Sequence, residues 1–177
     1  MPVKSKYGHF SYLEGNLDHM LIISSYAEGE HQRFERLATE AALALMQLIY
    51  AARDDGVWIV PVSGFRTNDY QNKLFVNQTQ KKGSEEAAAK LSAPPGYSEH
   101  HTGYAVDLTD GNFPQQDITE QFAETEAFKW LEIHAREFGF ELSFPENNSQ
   151  GISYEPWHWR FINSLKAEEI FRVARIK

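Results

Sequence analysis

Apolar positions change their spacing several times along the chain, and each change predicts an element. Phe34, Leu37, Ala41, Leu45, Leu48 and Ala52 recur at three- and four-residue steps, which predicts an amphipathic helix running from Phe34 and ending before Gly56. Val57-Trp58-Ile59-Val60-Pro61-Val62 is a short β-branched run, hence a strand, and it delivers Ser63-Gly64-Phe65-Arg66 to a sheet edge. Thr67 or Asn68 caps the next helix, with Gln71 placed to close a capping box from Asn68. Ser84-Glu85-Glu86 opens a short alanine-rich helix that Ala93-Pro94-Pro95-Gly96 stops. Tyr104 to Leu108 reads as a strand. Helical spacing is clearest from Thr125 and ends at Gly139, after which Phe140 to Phe144 alternates as a strand. Ile152-Ser153-Tyr154 and Trp157 to Ile162 read as strand segments broken at Pro156, and Ser164 caps a last helix. Four strand regions mixed with helices predict an α+β domain, a small antiparallel sheet with flanking helices. Residues 1–30 show no clear period. They read as an arm packed along the surface of a single domain spanning residues 31–177.

Composition narrows the partners. With 177 residues and 42% hydrophobic content, the chain can bury one proper core. A net charge of -8 without any Lys/Arg run argues against nucleic acid and anionic membrane surfaces. No cysteine is present, so there is neither a disulfide nor a cysteine-held structural zinc. No apolar run is long enough to span a bilayer, and Met1 to His9 lacks the apolar stretch of a signal peptide.

The chemistry is concentrated in two stretches, Tyr97-Ser98-Glu99-His100-His101-Thr102-Gly103-Tyr104-Ala105-Val106-Asp107 and Tyr154-Glu155-Pro156-Trp157-His158-Trp159-Arg160. Catalytic zinc takes three protein ligands and keeps one position for water, so His100, Asp107 and His158 would form a His-Asp-His site. Glu155 would then be the base. Glu155 and His158 differ by three positions, and on a straight strand they point to opposite faces. One of them must therefore sit in a turn or bulge, which Pro156 makes plausible. His101 competes with His100 as a ligand, and Asp110 is a weaker rival to Asp107. Other divalent ions suit the same ligands.

Ser98, His100, Gly103, Ala105 and Asp107 fit Ser-x-His-x-x-Gly-x-Ala-x-Asp; Glu155, Trp157 and His158 fit Glu-x-Trp-His. Together with Ser63-Gly64-Phe65-Arg66-Thr67 and the following Gln71, the chain resembles the VanY-type zinc D-alanyl-D-alanine carboxypeptidases. Those are relatives of the VanX-type dipeptidases and of the Hedgehog zinc fold. The resemblance runs from about Leu37 to Arg160 and selects His100 over His101. It implies one catalytic zinc ion, Glu155 and Arg66 as catalytic residues, and substrate contacts at Ser98, Gln71 and Arg66. The implied substrates are peptidoglycan stem peptides or muropeptides that lose a C-terminal D-alanine, cut by a monomer. L,D-carboxypeptidase action on tetrapeptide stems, D-Ala-D-Ala dipeptidase action and a non-catalytic zinc-bearing binding module are the alternatives. The same resemblance implies a cell-envelope or periplasmic location, with a leader or anchor outside this sequence; a cytoplasmic recycling role is the alternative.

Overall fold

The computed structural model describes residues 4–176. Its centre is a four-stranded antiparallel sheet built from β5 (Ile59–Ser63), β6 (Ala105–Asp110), β7 (Phe140–Leu142) and β8 (His158–Phe161), in the order β5-β6-β8-β7. Two hairpins precede it, β1 (Ser5–Lys6) with β2 (His9–Phe10) and β3 (Met20–Glu28) with β4 (His31–Ala38). Five α-helices among the described residues complete the α+β domain: α1 (Thr39–Asp54), α2 (Asn68–Lys82), α3 (Glu85–Ala89), α4 (Glu126–His134) and α5 (Leu165–Phe171). No helix among the described residues is long and apolar enough to cross a membrane.

Strand alternation gives the sheet two unlike faces. Val106, Leu108, Trp159 and Phe161 belong to the main core with Phe140, and Leu45, Leu48, Phe128 and Leu131 of α1 and α4 join the same cluster. Asp107, His158, Arg160 and Glu141 alternate with them and are buried as well. A strand buried on both faces does not show a polar/apolar alternation toward solvent, and all six residues of β6 are buried.

Local chemistry explains most element ends. The side chains of Thr67, Ser84, Thr125 and Ser164 each accept a backbone N–H at the start of α2, α3, α4 and α5. Thr67 therefore caps α2, not a box of Asn68 with Gln71: the Gln71 side chain is buried and bonded elsewhere. Two further expectations are corrected. The helix predicted from Phe34 starts only at Thr39, because residues 31–38 pair with Met20–Glu28 as β4. Leu37 ends that strand inside the same core that Ala41 enters from the helix, so a helical spacing runs unbroken over a strand-to-helix junction. Ile152-Ser153-Tyr154 is not a strand. It is irregular chain tied by Ser153 N–H to the Lys90 carbonyl and by Glu155 N–H to that of Phe144. The limit expected near residue 30 falls in the β3–β4 turn, whose strands pair across it.

Candidate metal centre

Sheet register assembles the centre. Asp107 on β6 lies directly opposite Ser63 on β5 and His158 on β8, so one row of pairs crosses three strands and puts Asp107 and His158 on the same face. His100 reaches that row from a 3-10 turn, Glu99–Thr102. Ser98 caps the turn by accepting from His100 N–H, and Gly103 ends it at φ 78°, a left-handed conformation that suits glycine. A Cβ there would stand 2.7 Å from the Met20 side chain, so the position is also tight. Glu155 sits at an irregularity of the chain: His158 N–H bonds back to the Glu155 carbonyl in a turn containing Pro156.

One ligand atom from each of His100, Asp107 and His158 lies within 4.8 Å of the other two, and all three residues are buried. Their hydrogen-bond partners fix what those atoms present. His100 Nδ1 donates to the Gly64 carbonyl at 2.7 Å, which leaves the Nε2 lone pair 3.1 Å from Asp107 Oδ1. His158 Nε2 is 2.8 Å from Glu99 Oε2, which leaves Nδ1 3.3 Å from the same Asp107 oxygen. Three atoms able to act as acceptors thus converge in a buried site. Only a proton or a metal cation relieves that repulsion, so the donor set fits a divalent ion of the zinc type. Protonation shows the same demand. Burial opposes a charge on His158, but hydrogen bonds to Asp107 and Glu99 overcome it and push the group up to about 10. Burial with the neighbouring Arg66 brings His100 down to about 4. Asp107 is held well below the carboxylate range, its burial outweighed by His100, His158 and Arg66.

The rival residues are occupied elsewhere. His101 donates from Nδ1 to the Arg66 carbonyl and accepts at Nε2 from Gly96 N–H, so neither ring nitrogen is available. Asp110 accepts from Asn112 and Ala127 N–H groups and serves as a backbone brace.

The sequence profile of the VanY D-alanyl-D-alanine carboxypeptidase family matches residues 34–164. The chain belongs to that family. A D-alanyl-D-alanine carboxypeptidase of Enterococcus faecalis (strain ATCC 700802 / V583) is 32% identical over 147 residues, 77% of this chain and 52% of that protein. Among solved structures, the LdcB LD-carboxypeptidase superposes with a TM-score of 0.72 at 32% identity, covering 88% of this chain and 73% of that one. The vancomycin-resistance D,D-pentapeptidase VanY, solved with Zn(II), gives 0.63 at 29% identity, over 85% of this chain and 84% of that one. The chain spans about half the length of the curated relatives it matches.

Around the centre of this VanY-family chain lies a cleft of about 410 Å³. Glu155 enters it with Oε2 3.7 Å from His158 Nδ1 and its side chain 12% exposed, and burial pushes its carboxyl up to about 8. Arg66 is laid across the floor by three acceptors: Ser63 Oγ at 3.0 Å, Gln71 Oε1 at 3.3 Å and Asp107 Oδ2 at 2.7 Å. Asp107 therefore shows one oxygen to the imidazoles and the other to the guanidinium. Gln71 spends its amide group on Ser92 Oγ and the Ala93 carbonyl, which makes it a link between α2 and the Pro94-Pro95 segment. Ser98 also faces the cleft, as do two residues to which the sequence reading gave no role, His9 and Phe144. His9 comes from the β1–β2 hairpin, and nothing in the aperiodic first thirty residues distinguishes it.

Proposed function

We propose that the chain is a zinc-dependent carboxypeptidase that releases the C-terminal D-alanine of peptidoglycan stem peptides. The observation that carries this reading is the convergence of His100 Nε2, His158 Nδ1 and Asp107 Oδ1 on one buried point beside Glu155. Those three atoms would hold the ion. When bound, zinc brings the pKa of a coordinated water towards ~7 and polarises a carbonyl oxygen.

The protein's own groups do the rest. Glu155 takes a proton from the attacking water as the new C–O bond forms, and gives it to the amine nitrogen as the C–N bond breaks. The products are a shortened peptide carboxylate and free D-alanine. For this role Glu155 must start ionised, and a divalent charge at the adjacent centre favours that form over the protonated one that burial alone produces. Arg66 cannot lose its charge and offers a planar fork of donors, suited to the oxyanion or to the substrate's terminal carboxylate. Gln71 holds that fork in place, and Ser98 and Gln71 line the path of the peptide.

Cleavage of an L,D bond at the end of a tetrapeptide is the second reading, favoured by the higher TM-score of the LdcB structure than of VanY. Muropeptides ending in each linkage, offered to the zinc-loaded protein with products identified by mass, decide between them. Release of D-alanine from the pentapeptide alone supports D,D specificity. Release of no amino acid from any peptide, with or without zinc, would leave only a binding module. With such substrates we infer a cell-envelope location, which cell fractionation tests; that the protein acts as a monomer is a separate proposal, which sedimentation tests.

A further inference from the structure

We infer that Glu99 is a positioning residue for the metal centre: it holds His158 by Nε2 and so keeps the Nδ1 lone pair available to the ion. This rests on the reading of His100, Asp107 and His158 as metal ligands. Glu99 lies between two residues of the first motif, and its side chain is fully committed. Oε2 meets His158 Nε2 at 2.8 Å and accepts from Ser143 Oγ at 2.6 Å, while Oε1 accepts from Arg160 Nη1 at 2.8 Å. Arg160 is itself braced, with Nε 2.9 Å from Glu141 Oε1 and its guanidinium 5.5 Å from the Phe171 ring of α5. The chain of contacts from α5 to the metal ligand runs through residues of β7, β8 and the 3-10 turn.

A buried ion pair between Glu99 and Arg160 would satisfy both charges without any histidine, so the pair alone assigns no role. The contact with His158 does. A metal-bound imidazole carries its one hydrogen on the nitrogen remote from the ion, and the acceptor placed there decides ring orientation and tautomer. Glu99 is that acceptor. The substitution Glu99→Gln keeps the shape and reverses the instruction. Arg160 can only donate, so the amide oxygen must stay on Arg160, which turns the NH2 group towards His158. Nε2 must then accept, and the hydrogen moves to Nδ1, the atom that faces Asp107 Oδ1.

The test measures zinc affinity by competition with a chelator and follows histidine ring nitrogens by NMR in zinc-loaded, 15N-histidine-labelled protein. In the wild type, His158 should carry its hydrogen on Nε2 and the metal on Nδ1. Glu99→Gln should bind zinc roughly 10–100-fold more weakly and lose the deshielded Nε2–H signal. Ser143→Ala, which removes a hydrogen bond from the same oxygen without introducing a donor, should keep that signal. A folded Glu99→Gln protein with wild-type zinc affinity and an unchanged His158 signal overturns the inference. Should that variant not fold, a wild-type spectrum with the hydrogen on Nδ1 overturns it equally. Failure of the wild type to bind any divalent ion would instead overturn the metal-centre reading itself.

Discussion

The two faces of the central sheet are built from the same strands by opposite rules. On one face Val106, Leu108, Trp159 and Phe161 meet α1 and α4 through contacts that depend on volume and on nothing directional. On the other face Asp107, His158, Arg160 and Glu141 are as deeply buried, yet each charged side chain has a named partner at hydrogen-bond distance. Burial stabilises the first face outright. On the second it is a penalty that the network offsets, and the residue left over, three acceptors around one point, is what suits the site to a cation. The faces should therefore separate cleanly under mutation, one losing stability and the other losing chemistry.

The largest expected effect is on the chemical side. Glu155→Gln removes the proposed proton carrier and leaves His100, Asp107 and His158 in place. Turnover of the substrate should fall by ~10²–10⁴-fold at unchanged zinc stoichiometry of about one per chain. A variant with full turnover would remove Glu155 from the mechanism. The counterpart on the apolar face is Phe140→Ala, at a side chain with 0% exposure that packs edge-on against Phe161. Denaturant unfolding should show a loss of about 3–5 kcal/mol. Zinc affinity and turnover per folded molecule should hold. If zinc affinity fell with stability, the faces would be coupled and the comparison would fail.

Arg66→Lys sharpens the comparison within the polar face. Lysine keeps the charge and loses the fork that reaches Ser63, Gln71 and Asp107 together. Turnover should drop by ~10²–10³-fold, the scale of losing a donor to a developing oxyanion, with zinc still bound. Unaltered turnover would show that the guanidinium only braces Asp107.

What the sequence disclosed follows the same division. The four sheet strands and the helices capped by Thr67, Ser84, Thr125 and Ser164 were readable because their signals are local, an apolar run or a single side chain before a helix. The three blocks of the motif were readable because short spacings carry them: His100 to Asp107, Glu155 to His158, and Ser63 to Arg66. Long-range pairing was not. β4 looks helical because Phe34, Leu37 and Ala41 keep a helical step, and only the partner strand from Met20 onward reveals it. The partners of Glu99 lie at positions 143, 158 and 160, brought together by register and not by spacing. Gln71 shows a local signal misleading: a capping pattern was available, but a buried amide with three partners lies at the floor of the cleft.

The smallest expected effect tests whether the polar face extends to the first hairpin. His9 is buried, donates from Nε2 to the Ala89 carbonyl at 2.6 Å, and stands edge-on to Phe144, which in turn packs on His158. Burial holds its pKa below the ordinary histidine value, with the Ala89 bond opposing. The unfolded chain binds a proton near pH ~6.5, whereas the folded chain resists it until a lower pH. Stability from this group is thus complete above about pH 6.5 and declines as the pH falls through the window between the two values. His100 and His101 are depressed as well, so the wild-type profile alone assigns nothing to His9. Comparison with His9→Asn, which retains a donor for Ala89 and does not titrate, isolates it. With metal removed by a chelator, the melting temperature of the wild type should fall further between pH 7.5 and 5 than that of the variant. Equal falls would mean that His9 accepts a proton without cost in the folded protein, and the hairpin would then lie outside the buried polar face.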